Sequence, residues 1–183
     1  MLITLSGLPG SGTSTVARTV ASRLELPHVD GGTVFRALAS ERGLSLAEFA
    51  ELAEEDDRID RALDERLVAR AHEGDVVLES RLAGWLATRA GLRALRVWID
   101  CDERERAARV GSRDGHQLEE ALATNRVREA SERTRYLTYY QIDLADRSAY
   151  DLVLDSTRRG PDELVERIMD AAQSSSEDRS RQS

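Results

Sequence analysis

The stretch from Gly7 to Thr15, Gly-Leu-Pro-Gly-Ser-Gly-Thr-Ser-Thr, holds the residues whose types and spacing speak most directly of chemistry. It follows a short apolar run, Leu2-Ile3-Thr4-Leu5, and opens into a segment with apolar residues at helical spacing, Val16, Val20 and Leu24. Glycines let the backbone curl until successive N–H groups point inward at one anion, and the helix that follows turns its positive end to the same place. From Gly7 to Ser14 the spacing matches G-x-x-x-x-G-K-[ST], except that Thr13 stands where a phosphate-binding loop carries lysine. That lysine normally reaches the transferred phosphate. The chain has none to offer, because all 26 of its Lys+Arg residues are arginine.

A loop of this kind works only between a strand and a helix. Further short apolar runs read as strands at Pro27–Asp30, Val76–Leu78, Leu95–Asp100 and Tyr150–Asp155. Between them lie helical stretches from Ser14 to about Leu24, Gly31 to Arg42, Leu46 to Glu54, Arg58 to His72, Ala83 to Ala90, Glu103 to Arg113, Leu118 to Tyr140 and Pro161 to Ala172. Strands alternating with helices predict an α/β fold with a parallel five-stranded sheet covered by helices on both faces. Ligands of such sheets gather at the carboxyl ends of the strands. The glycine loop, Asp30, Glu79 with Arg81, Asp100 and Asp155 all fall at such ends. Two excursions from the sheet, about 31–73 and 103–140, are expected to form a small acceptor flap and an arginine-rich lid within a single domain spanning 1–172. Residues 173–183 are Ser, Gln, Arg and acid and are expected to be a disordered tail.

Length and charge bound the rest. A chain of 183 residues accommodates one such domain. Against its arginines stand 34 Asp+Glu, giving a net charge of −8, which argues against a general nucleic-acid binder. Sustained acidity without lysine suits a strongly salted, halophilic cytoplasm, where self-repulsion is screened. Neither a leader nor a membrane span is expected, so the protein is expected to be soluble, cytoplasmic and monomeric. Cys101 is expected to be buried at a strand end. His28, His72 and His116 lack metal-ligand spacing, and Trp85, Trp98, Tyr136, Tyr139 and Tyr140 read as packing residues.

From Leu2 to about Ala172 the chain resembles the nucleoside monophosphate kinases, and most closely the archaeal-type cytidylate kinases. The resemblance is carried by Gly7 to Thr15, by Asp30-Gly31-Gly32-Thr33-Val34-Phe35-Arg36, by Leu78-Glu79-Ser80-Arg81-Leu82-Ala83-Gly84-Trp85, and by Arg128-Glu129-Ala130-Ser131-Glu132-Arg133-Thr134-Arg135-Tyr136. It implies a P-loop NTPase-type fold and transfer of the γ-phosphate of ATP to CMP, and to dCMP, with Mg²⁺. It further implies an ATP site at Gly7, Leu8, Pro9, Gly10, Ser11, Gly12, Thr13, Ser14 and Thr15. Monophosphate binding falls to Asp30, Arg36, Arg81 and Glu132, with Arg128 and Arg135 on phosphates through the lid pattern R-[DE]-x-x-[DE]-x-x-R. The chain departs from the pattern at Thr33, where archaeal members commonly carry aspartate, and at Gln141, where glycine is frequent.

Phosphoryl transfer needs alignment and charge neutralisation more than covalent help. Ser14 is expected near the metal, with Glu79 holding one of its waters; the alternatives for Glu79 are helix capping or pairing with Arg81. Arginine donates to two phosphate oxygens at once and keeps its charge. A lid arginine, Arg128 or Arg135, is therefore expected to take over the task of the missing lysine. Arg106, Arg109 and Arg113 share one helix face and are further candidates for phosphate contact. The competing reading of these helices is a solvated face of pairs such as Glu129 with Arg133 or Glu132 with Arg135, and Arg104 and Arg133 fit it. Two other functions stay open on sequence: an adenylate kinase or other small-acceptor kinase of the same fold, and a non-catalytic nucleotide-binding module.

Overall fold

The computed structural model describes the backbone of residues 1–181 and the side chains of residues 1–174. Its elements run β1 (Leu2–Gly7), α1 (Thr13–Arg23), β2 (His28–Asp30), α2 (Gly31–Glu41), α3 (Leu46–Glu55), α4 (Asp57–His72) and β3 (Val76–Glu79). They continue with α5 (Ala83–Arg89), β4 (Leu95–Asp100), α6 (Glu103–Asp114), α7 (Leu118–Tyr140), β5 (Leu152–Asp155) and α8 (Pro161–Arg181). The strands form one five-stranded sheet in the order β2-β3-β1-β4-β5, every pair parallel.

Side chains on a strand alternate between faces, and here both faces are buried. On one face Ile3, Leu5, Val97 and Ile99 pack with Val16, Val20, Leu164 and Ile168 of α1 and α8. On the other, Leu2, Val76, Leu78 and Trp98 pack with Leu63, Leu67 and Leu86 of α4 and α5. Register brings the carboxyl ends side by side: Leu5 and Asp30 both pair with Glu79, Gly7 with Ile99, and Asp100 with Asp155.

The helix starts are chemically marked. Asp30 caps α2 by accepting from Gly32 N at 2.8 Å, Ser45 and Glu48 form a reciprocal capping box on α3, and Asp102 caps α6 through the N–H groups of Arg104 and Glu105. Among the described residues, no helix is long and apolar enough to cross a membrane.

Three sequence expectations need correction. The last strand begins at Leu152, because Tyr150 turns inward to meet Trp98 edge-on with ring centroids 5.2 Å apart. Cys101 is half-buried just after β4. The last helix does not stop at Ala172 but continues to Arg181. Neither glycine nor proline follows to break it, and extending an established helix adds one hydrogen bond per residue fixed. The rest of the expected tail, 182 and 183, lies outside the described residues.

Candidate active site

At the end of β1 the chain turns through Gly10 (φ 83°) and Gly12 (φ 91°), the left-handed region that glycine enters without steric cost, and then enters α1. A side chain at Gly10 would also run into the carbonyl oxygen of Arg106. The start of α1 differs from those of α2, α3, α4 and α6, each capped by a side chain: Gly12 gives none. The first N–H groups of a helix have no partner within it. Left uncapped beside a glycine turn, those of α1 form a cradle for an anion.

Ser14, in the first turn of α1, donates from Oγ to Glu79 Oε1 at 2.6 Å. The other carboxylate oxygen, Glu79 Oε2, lies 3.0 Å from His28 Nε2. Glu79 is buried at the end of β3, and among the described residues it bonds neither Arg81 nor a backbone N–H at a helix start, the two alternatives read from sequence. The sequence reading gave His28 no part in the site. The signal was present in its spacing, because His28 and Asp30 alternate onto one face of β2 and both line a cleft of about 420 Å³ with Ser14, Arg18, Thr33 and Val34. Among the described residues, no group of three or more His, Cys, Asp or Glu side chains could hold a metal ion by itself. Magnesium typically takes only one or two protein ligands and completes its shell with phosphate and water oxygens. A hydroxyl against a buried carboxylate, beside an anion cradle, fits such an ion.

The arginines divide sharply. Arg81 donates from Nε to Glu132 Oε2 at 2.7 Å and from one terminal nitrogen to the carbonyl oxygen of Gly7 at 2.8 Å. Glu132 also accepts from Arg128 Nε at 2.9 Å. Burial alone would push the Glu132 carboxyl up, but Arg81 and then Arg128 outweigh it and hold it below its usual range. Arg128 is 48% exposed, and among the described residues its terminal nitrogens have no partner. Arg36 rests on Thr33 Oγ1 at 2.7 Å and on Asp30 Oδ2 at 3.3 Å, so Thr33 and Asp30 together orient it.

Arg135, expected on a phosphate, is instead buried against Asp60 of α4, with nitrogen-to-oxygen distances of 3.1 and 3.2 Å. Burial drives the Asp60 carboxyl up to about 6 despite that arginine, and drives nearby Asp64 to about 7. The same end of α7 is fastened by Tyr139, whose hydroxyl donates to the carbonyl oxygens of Ala53 and Glu54, and by Arg61, which donates to Tyr139 O and lies over the Tyr140 ring. Gln141 closes α7 at φ 55°, the left-handed region that glycine enters without steric cost.

The expected phosphate face of α6 is also divided. Arg106 is buried, bonded to Glu129, to Cys101 O and to Pro9 O at 3.2 Å, so it supports the loop from behind. Arg109 holds Glu105 and both oxygens of Ser156, and Ser156 in turn donates to Ser11 O. Arg113 points to solvent and pairs with Asp114. Arg104 reaches the exposed Glu119 at 3.5 Å and Arg133 is exposed, as a solvated face requires.

The fold is that of small kinases. A gluconokinase from Sinorhizobium meliloti superposes with TM-score 0.65 at 18% identity, covering 99% of this chain and 96% of that one. A shikimate kinase from Aquifex aeolicus gives TM-score 0.61 at 18% identity, covering 96% and 98%. Sequence relatives are closer. The cytidylate kinase of Halobacterium salinarum is 47% identical over 93% of this chain and 88% of its own length, and that of Haloquadratum walsbyi is 49% identical over 94% and 88%. The cytidylate kinase of Pyrococcus horikoshii is 44% identical over 88% and 83%. A family model described as the cytidylate kinase-like family matches residues 2–158. The glycine cradle, the Glu79 carboxylate and the arginine-bound Glu132 therefore sit in a chain that belongs to the cytidylate kinase-like family.

Proposed function

We propose that the protein transfers the γ-phosphate of ATP to CMP, and to dCMP, releasing ADP and CDP or dCDP. The observation that carries this reading is the meeting of three devices at one edge of the sheet: the uncapped start of α1, the Ser14–Glu79 contact and the Arg81–Glu132–Arg128 network. The names of the archaeal relatives support cytidine as the base.

The acceptor phosphate oxygen is itself the nucleophile, so no side chain has to generate one. The loop from Gly7 to Thr15, Pro9 apart, receives the ATP phosphates on backbone N–H groups. Ser14 and Glu79 would hold Mg²⁺, Glu79 through a water; when bound, the ion neutralises charge on the phosphates. Arg36, held by Asp30 and Thr33, and Arg81 receive the monophosphate, with Glu132 fixing Arg81 in place. Arg128 presents its unused nitrogens to the transferring group. We assign α2 to α4, about 31–73, to an acceptor flap and α6 to α7, about 103–140, to a lid, the two closing to exclude water. Arg135 then fastens the lid helix to the flap through Asp60. The working form is a cytoplasmic monomer adapted to high salt, which fits a net charge of −8 without lysine.

The test is ATP consumption with Mg²⁺ against CMP, dCMP, UMP and AMP at low and at molar KCl. Transfer to CMP well above UMP and AMP, and greater at molar salt, is expected. Preference for AMP, or no transfer at any salt, would overturn the assignment.

A further inference from the structure

We propose that Arg81 supplies, on the ATP side, the positive charge that the lysine-free loop lacks. This inference rests on the kinase reading above and goes beyond it, because it gives Arg81 a contact with the donor phosphates as well as the acceptor. Two independent observations meet at Gly7. The Arg81 guanidinium bonds the Gly7 carbonyl oxygen at 2.8 Å. The Thr13 methyl, at the position where the loop motif carries lysine, lies 2.8 Å from where a Cβ on Gly7 would stand. A lysine at position 13 would therefore start beside the residue that Arg81 already touches.

The other arginines near the loop are each matched to a carboxylate of their own. Arg106 is offset by Glu129, Arg135 by Asp60, Arg36 by Asp30 and Arg109 by Glu105. Arg81 shares the carboxylate of Glu132 with Arg128 and also feels the buried carboxylate of Glu79, beside the loop. Its place is fixed before substrate arrives, because Arg81 is mostly buried and held at two points. A preset cation of this kind needs no reorganisation when the transferring group develops charge. Thr13, nearly buried, leaves the position without a competing charge.

The experiment compares Arg81→Met, Arg81→Lys and Arg81→Met with Thr13→Lys, each read in two ways. Calorimetry measures MgATP binding with no monophosphate present, and steady-state kinetics gives kcat with KM for ATP and for CMP. Loss of a preset phosphate cation should lower kcat by about 10³-fold. Arg81→Met should also weaken MgATP binding in the absence of CMP about tenfold, and Arg81→Lys should retain most of it. Adding Thr13→Lys to Arg81→Met should recover at least a tenfold share of both losses. If Arg81→Met binds MgATP like the parent, raises only KM for CMP and is not rescued by Thr13→Lys, Arg81 serves the acceptor alone and the proposal fails. Should removing Arg81 unfold the chain by stranding Glu132, the same comparison is made with Glu132→Gln added. The binding arm needs no turnover, so it judges Arg81 even if the parent protein proves inactive on CMP.

Discussion

Replacing Arg135 with methionine removes the cation that faces Asp60 while keeping a side chain of similar length to fill the space. In the parent, burial raises Asp60 from 3.8 to about 6, with Arg135 opposing and Glu132 and Asp57 adding to the rise. A carboxyl whose folded pKa lies above its unfolded value binds more protons when folded. Its contribution to stability is therefore greatest below about pH 4 and is lost as the pH climbs towards 6. A rise of that size corresponds to roughly 3 kcal/mol. Without Arg135 the carboxylate must either stay charged and unpaired or remain protonated to still higher pH, and breaking a buried pair in this way typically costs about 3–5 kcal/mol. At pH 5 the folded variant keeps Asp60 protonated, and the loss shrinks to a packing change of about 1 kcal/mol. Asp64, pushed up to about 7 by burial, adds in the same direction. Thermal unfolding of parent and Arg135→Met at pH 5 and pH 8 should show a deficit in Tm larger at pH 8 by on the order of 5–10 °C. Equal deficits at the two pH values would refute the reasoning, because they would mean that Asp60 is not the group left exposed to the loss.

Two further outcomes follow from the site. Glu79→Gln keeps the shape of the side chain but removes the charge facing Ser14 and His28, so the Mg²⁺ concentration needed for half-maximal rate should rise by about 10- to 100-fold, with an unchanged requirement counting against a metal role. Gly10→Ala forces a side chain into the left-handed region and against the Arg106 carbonyl; a loss of about 1–3 kcal/mol in denaturant unfolding and much weaker ATP binding are expected, and wild-type ATP affinity would show that the loop is not held in this form.

The sequence reveals the frame better than the partners. Strand positions, the sheet's composition and the placing of Asp30 and Glu79 at carboxyl ends follow from apolar runs and turn residues, which are local properties. Charge pairing is not local. Spacing along the helix suggests Glu129 with Arg133 and Glu132 with Arg135, yet Glu129 meets Arg106, Glu132 meets Arg81 and Arg128, and Arg135 meets Asp60. Exposed pairs at helical spacing gain only a few tenths of a kcal/mol, whereas a buried arginine or carboxylate left alone costs several. Burial therefore decides the partners, and burial depends on how α7 meets α6, α4 and the turn after β3. The same limit explains why Arg135 looked like a phosphate ligand and His28 like an incidental residue.

The strand that carries the glycine loop lies at the centre of the sheet, and both of its neighbours, β3 and β4, are far from it in the chain. Leu2 pairs with Val76 and Ile3 with Leu95. Such distant pairings close large loops and slow folding. During synthesis β1 must wait, apolar and unpaired, until β3 and then β4 have emerged. The phosphate cradle at its end is thus made before either of the strands that secure its flanks.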